Sequence, residues 1–260
     1  METFTKESLI NRLNEIREMG WVANRRPGNA GGVGNTLEDL LGIEENNLPI
    51  PNAAEWELKC QRSNTSSLLT LFHMEPSPTA IKFVPKILLP KYGWEHKEAG
   101  GKYSIDEKSF RQTISGLNRS NRGFKVIVDR FQRKVLVSFD YSFVDPNHND
   151  WLDEVINKAG KSELDPQPYW GFDDLMYKAG SKLKNCFYIV ADRKRENHQE
   201  YYSYSKILIL RGFRLDGLLE GIEKGYFFID FDARTGHNHG TKFRIKSNHI
   251  PNLYKSVTEI

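Results

Sequence analysis

A chain of 260 residues, 38% hydrophobic and 12% aromatic, can bury a sizeable core as one large domain or as two closely packed lobes. Its 37 Lys and Arg against 34 Asp and Glu leave a net charge of only +3, a mild bias toward a polyanionic partner that excludes little. Cys60 and Cys186 are too few and too dispersed for a disulfide framework or zinc site, the polar Met1 to Glu7 stretch precedes no apolar core, and no apolar run approaches membrane-spanning length, so buried thiols in a reducing cytoplasm and no membrane association are expected.

Taken in chain order, Thr5 caps a first helix whose Leu9, Ile10, Leu13, Ile16 and Met19 form an apolar stripe ending near Gly20. A glycine-rich loop, Gly28-Asn29-Ala30-Gly31-Gly32-Val33-Gly34-Asn35, then feeds a short helix with Thr36 as expected N-cap, Leu37, Leu40 and Leu41 as apolar face and Gly42 as stop. Glu38 would lie in its first turn. A strand is expected through Trp56-Glu57-Leu58-Lys59-Cys60 and another over Ser67 to His73. Pro78, Pro85 and Pro90 predict a loop with short helical turns between Pro76 and Gly101. Phe124 to Asp129 and Lys134 to Asp140 read as a hairpin. The polar stretch from Asp145 to Gln167, with Pro146, Gly160 and Pro166, reads as a lobe boundary, dividing the chain into 1–160 and 161–260. Beyond it come a helix from Phe172 through Leu183, strands over Cys186 to Ala191 and Tyr201 to Leu210, a helix marked by Leu215, Leu218, Leu219 and Ile222, and strands over Tyr226 to Asp232 and Lys242 to Ile245.

The chemistry concentrates at Glu57-Leu58-Lys59. Residues two apart on a strand share a face, so a carboxylate that can ligate a divalent metal stands beside an ammonium that can polarise water or steady charge on phosphorus. That combination suits phosphodiester hydrolysis. The glycine loop lacks the Gly-Lys-Ser/Thr ending of a nucleotide-binding loop.

The spacing Gly-Asn-x-Gly-x-x-Gly-x-x-x-Glu, a Pro-led turn and then Glu-Leu-Lys resembles the catalytic segment of the MutH mismatch-repair nickase and the MvaI/BcnI-type restriction endonucleases, within the PD-(D/E)xK nuclease superfamily. His237-Asn238-His239-Gly240-Thr241-Lys242-Phe243-Arg244-Ile245 resembles the signature of the MvaI branch, and the similarity extends from about Gly20 to Ile245. The resemblance implies an α/β fold: a restriction-endonuclease-like mixed β-sheet flanked by helices, two lobes forming a DNA-binding cleft, with 1–160 catalytic and 161–260 recognising DNA. It implies a type II enzyme with Glu38, Asn52, Glu57 and Lys59 at the catalytic centre and Asn52, Glu57 and Leu58 around Mg²⁺, for which Mn²⁺ can substitute. Arg234, His237, His239 and Arg244 would read bases, since Arg and His can donate to guanine O6 and N7. Arg25, Arg26, Asn29 and Lys125 would contact the backbone, and clusters such as Arg193-Lys194-Arg195 are further candidates for phosphates. The implied enzyme is a monomer in a bacterial or archaeal cytoplasm, cuts double-stranded DNA one strand at a time at a short, near-palindromic, G·C-rich site, and coexists with a cognate DNA methyltransferase without binding it.

One position departs from the pattern. Superfamily members carry Asp shortly before the Glu-x-Lys pair, and this chain has Asn52, whose amide brings no charge to a hard dication. Glu38 or Glu55 could supply that charge. Two further readings stay open: a MutH-like nickase dependent on a partner, and a sequence-specific DNA-binding protein with impaired catalysis.

Overall fold

The computed structural model describes residues 4–29, 31–43 and 55–260. In chain order its elements are α1 (Lys6–Glu18), β1 (Val22–Ala23), α2 (Gly32–Leu41), β2 (Glu57–Arg62), β3 (Leu69–His73), α3 (Leu89–Tyr92), β4 (Trp94–Glu95), β5 (Lys108–Ile114), β6 (Arg122–Asp129) and β7 (Lys134–Val144). They continue as α4 (Asn149–Ala159), β8 (Tyr169–Gly171), α5 (Phe172–Leu183), β9 (Asn185–Glu196), β10 (Gln199–Phe213), α6 (Leu215–Glu223), β11 (Phe227–Arg234), β12 (His237–Asn238), β13 (Lys242–Ile245) and β14 (Tyr254–Glu259). The architecture is mixed α/β, as expected, with several sheets flanked by helices.

Two compact units share these elements, and neither is a single stretch of chain. The first comprises Met1–Leu69, Tyr177–Arg214 and Ser247–Ile260; the second comprises Thr70–Met176 and Leu215–Lys246. The division differs from one cut near residue 160. Pro146 and Gly160 suggested a linker, but they flank a helix instead of interrupting one: Pro146 opens a short 3₁₀ turn, Gly160 caps α4 at φ +78°, and Trp151 and Val155 between them are buried.

In the first unit a five-stranded sheet runs β1-β10-β9-β2, with β14 also paired to β10. β2 and β9 are parallel and the other pairings antiparallel. The period of two sorts the β2 side chains. Trp56, Leu58 and Cys60 join Phe187 and Ile189 of β9 in a core completed by Leu9, Leu13 and Ile16 of α1 and Val33, Leu37, Leu40 and Leu41 of α2. Glu57, Lys59 and Gln61 therefore project from the opposite face. α1 begins as expected, with a Thr5 and Ser8 capping box.

Helix α2 starts earlier than Thr36. Its N-cap is Gly31, and Thr36 is a fully buried interior residue whose hydroxyl accepts from the Arg25 N–H at 3.1 Å and donates to Asn24 Oδ1 at 3.3 Å. Packing of Val33 into the core draws the glycines into the helix, so Glu38 lies beyond the first turn. Gly42 does close it, at φ +69°.

The second unit holds a six-stranded sheet, β3-β13-β11-β5-β4 with β12 on β11, and a three-stranded sheet, β6-β7-β8. Its core is aromatic: Phe72 stacks on Phe243 at 4.6 Å, Trp170 meets Phe243 edge-on at 5.3 Å, and Phe110 lies 5.4 Å from Phe231. Along β11, Phe227, Ile229, Phe231 and Ala233 are buried. Asp230, Asp232 and Arg234 consequently line the other face.

Candidate active site

Glu57 is fully buried, and neither carboxylate oxygen accepts a well-aligned hydrogen bond. A buried carboxylate in that condition requires compensating charge. Two ammonium groups supply it: Lys59 Nζ lies 2.5 Å from Oε1 and Lys182 Nζ 3.7 Å from the same oxygen. Lys59 comes from the same strand face. Lys182 comes from the last turn of α5, more than 100 residues later, and was not singled out from the sequence; the one available sign was a lysine directly before the buried Leu183.

The setting of Lys182 is electrostatically unfavourable. Burial pulls its ammonium below the ordinary lysine value; Glu57 opposes that pull, while Lys59 and Lys178 reinforce it. On the neighbouring strand, Cys186 pairs with Glu57, and its thiol is pushed up to about 12 by burial. The Tyr254 hydroxyl is likewise raised by burial, with Cys186 and Glu57 adding to the effect. These neighbours enclose the carboxylate with groups that stay neutral at ordinary pH.

A divalent cation would find here the oxygen donors it favours: the Glu57 carboxylate, whose Oε1 is held by the two lysines and whose Oε2 has no hydrogen-bond partner, and Leu58, which can offer only its main-chain carbonyl. Among the described residues no three His, Cys, Asp or Glu side chains gather into a metal cage. Asn52, the other expected ligand, lies outside the described residues. Glu55 is an exposed turn residue before β2, outside the strand whose alternation sets the Glu57 face. Glu38 stands on α2, where its charge helps burial raise the Cys60 thiol. Along β2 Cys60 faces away from Glu57, and Lys59 and Lys182 are the cations the structure brings to the Glu57 carboxylate.

The candidate backbone contacts are largely occupied within the protein. Arg26 grips Asp39 through two nitrogens, at 2.6 and 3.2 Å, and Arg25 Nη1 donates to the Asp39 carbonyl at 3.3 Å. Asn29 Oδ1 accepts from the Gly31 N–H at 2.8 Å. Lys125 is half-buried on β6, opposite Ser138.

In the second unit, β11 turns through Thr235 and Gly236 into β12, placing Arg234 directly across from His237. Gly236 sits at φ +69°, where glycine avoids the penalty of a Cβ. His237 and His239 are exposed, two residues apart, with rings 4.2 Å from centre to centre. Arg234 is held by Glu107 at 3.0 Å and lies 4.5 Å over the Tyr103 ring. Across the same sheet face, Arg244 pairs with Asp230 at 3.1 Å, while Asp232 takes Arg111 at 2.6 Å and Lys242 at 2.7 Å. Glu107 and Asp230, unnoticed in the sequence, therefore fix the two arginines of the expected reading surface, while Asp232 holds Arg111 and Lys242 beside them.

The model of the MvaI/BcnI restriction endonuclease family matches residues 10–254. Among solved structures, the chain is similar to "Restriction endonuclease MvaI-cognate DNA substrate complex", at 27% identity and a TM-score of 0.77, covering 98% of this chain and 99% of that one. It is also similar to "Restriction endonuclease MvaI in the absence of DNA", at 27% identity and a TM-score of 0.55 over 100% of both chains. Comparison with curated proteins gives no match. With a family model spanning nearly the whole chain and the buried Glu57 with its Lys59 partner within it, the chain belongs to the MvaI/BcnI restriction endonuclease family.

Proposed function

We propose that this protein is a type II restriction endonuclease that uses Mg²⁺ to hydrolyse double-stranded DNA at a short, near-palindromic, G·C-rich site, acting as a monomer that cuts the strands in succession. The observation that carries this reading is Glu57: a fully buried carboxylate without aligned hydrogen bonds, flanked by two lysines, inside a restriction-endonuclease family match. When bound, the cation would polarise the scissile phosphate and supply an activated water. Glu57 and the Leu58 carbonyl would hold it, with Asn52 contributing at most a neutral oxygen. Lys59 and Lys182 beside Glu57 would steady the negative charge that a bound phosphate acquires during attack. Burial strengthens their effect by excluding water from the interaction.

Arg234, His237, His239 and Arg244 are suited to base edges in the major groove. The acids that hold the two arginines reduce their freedom and so the entropy lost on reading a base. Digestion of long DNA in Mg²⁺, followed by mapping of the ends, tests the proposal. Discrete fragments sharing one short G·C-rich end sequence are expected, and randomly distributed ends would refute it.

Asn52 favours one alternative, a DNA-binding protein in which loss of the second anionic ligand has left recognition without efficient cleavage. Tight specific binding with no cutting in Mg²⁺ or Mn²⁺ would establish that version.

A further inference from the structure

A polar pocket of about 360 Å³ opens in the first unit at the far end of β2, lined by Arg62, Ser63, Asn64, Thr65, Ser66 and Arg193. Arg62 ends the strand that Glu57 begins, five residues on, about 16 Å away at roughly 3.3 Å per residue. The pocket is therefore separate from the carboxylate site, and by the period of two Arg62 leaves β2 on the Leu58 and Cys60 side rather than the Glu57 side.

Its lining is built from donors, and no carboxylate is among them. Asn64, at φ +52°, turns the chain out of β2. The segment after it is pinned on two sides: the Ser63 N–H donates to the Ala191 carbonyl at 2.8 Å, and Gln61 Nε2 donates to the Ser67 carbonyl at 2.7 Å. Ser63 gives its hydroxyl proton to Asp192 at 2.6 Å and is thereby committed. Thr65 Oγ1 accepts from the Ser67 N–H at 3.2 Å, which leaves its own proton to donate.

The two guanidinium groups differ in their commitments. Arg193 is tethered to Glu200 at 3.2 Å, and Glu200 also takes the Tyr202 hydroxyl at 2.5 Å and Asn24 at 3.0 Å. Arg62 is half-buried, and among the described residues its side chain makes no hydrogen bond or ion pair; its charge acts only at a distance, on Glu200 and Tyr202. An arginine with five unused N–H donors, beside the Thr65 hydroxyl whose proton is still to donate and the exposed Ser66, has the chemistry of a phosphate site.

We propose that this pocket binds a phosphate, and that in the working protein its occupant is a backbone phosphodiester of the DNA duplex, held by Arg62 with Thr65 and Ser66 assisting. The inference rests on the duplex-DNA reading above. Arg62 would then anchor the duplex at a distance from the scissile bond without contributing sequence information.

The test measures equilibrium binding to a specific and a random duplex from 50 to 200 mM salt, without divalent metal, for the native protein, Arg62→Gln and Arg62→Lys. One phosphate contact contributes about 0.9 to the slope of log affinity against log salt. Arg62→Gln should lower that slope by about this amount on both duplexes, and Arg62→Lys, which keeps the charge, should restore most of it. An unchanged slope in a folded Arg62→Gln protein overturns the proposal while leaving the DNA reading intact, whereas failure of the native protein to bind either duplex overturns the DNA reading itself. Calorimetric titration with inorganic phosphate separates the two sources: binding lost in Arg62→Gln without any change in DNA slope would make the pocket a free-anion site and refute the duplex assignment.

Discussion

Replacing Lys182 with Met separates what the fold needs from what cleavage needs. At 3.7 Å from Glu57 Oε1, the lysine charge is worth a gross attraction of about 4 kcal/mol at an effective dielectric constant near 20. Burial and repulsion from Lys59 and Lys178 nevertheless outweigh it, because the Lys182 ammonium lies below its ordinary value despite Glu57. A charged group whose folded value is depressed in this direction costs stability at neutral pH. Lys182→Met, close in volume, should therefore unfold in urea within about 1 kcal/mol of the native protein, or at higher denaturant. Single-turnover cleavage in Mg²⁺ should fall about 10²–10³-fold, the usual consequence of removing one preorganised charge-stabilising group. Lys182→Arg should recover part of the rate. A destabilised Lys182→Met protein that cleaves at the native rate would show that the lysine serves the fold and would refute the reasoning.

Arg244→Ala should cost about 1–3 kcal/mol of discrimination at one base pair, read from relative cleavage of single-substitution sites; equal weakening on specific and random DNA would contradict a base-reading role. The Asp232 carboxyl feels a rise from burial, but Lys242 and Arg111 bring it below its ordinary 3.8, so its contribution to stability is present above that value and is lost as pH falls through the lower folded one. Urea midpoints measured from pH 7 to 3 should accordingly drop less steeply for Asp232→Asn than for the native protein, and parallel curves would count against the ion-pair assignment. Phe243→Ala removes a fully buried ring packed on Phe72, Trp170 and Phe227 and should cost about 3–5 kcal/mol by urea denaturation; a cost below 1 kcal/mol would show that the second unit's core is organised otherwise.

How far the residues announced this structure depended on whether the governing contacts were local. The pairing of Glu57 with Lys59 follows from strand alternation alone, and the buried Trp56, Leu58 and Cys60 face enforces it. The Phe172 to Leu183 helix and the hairpin after Phe124 were equally legible, because their apolar spacing is local and uninterrupted. Thr36 misled because Ser, Thr, Asp and Asn favour caps only where packing leaves them at a terminus; burial of Val33 extended the helix past it. α4 was hidden because Pro146 and Gly160 signal breaks equally well between helices and at the ends of one. Lys182 and the acids that hold Arg234 and Arg244 depend on tertiary packing, to which no sequence spacing points. The histidine hairpin was recognised through its family likeness, while the pairing of Arg234 with Glu107 and of Arg244 with Asp230 emerges only once the strands are side by side.

The central claim is that Glu57 and its lysines form the catalytic centre, working with a neutral residue at position 52. Single-turnover cleavage of one mapped site in Mg²⁺ by the native protein, Glu57→Gln and Asn52→Asp tests it most directly. Glu57→Gln should lose at least about 10³-fold in rate, and Asn52→Asp should cut faster than the native protein by restoring the second anionic ligand. Native-rate cleavage by Glu57→Gln, or an unchanged rate in Asn52→Asp, would contradict the account.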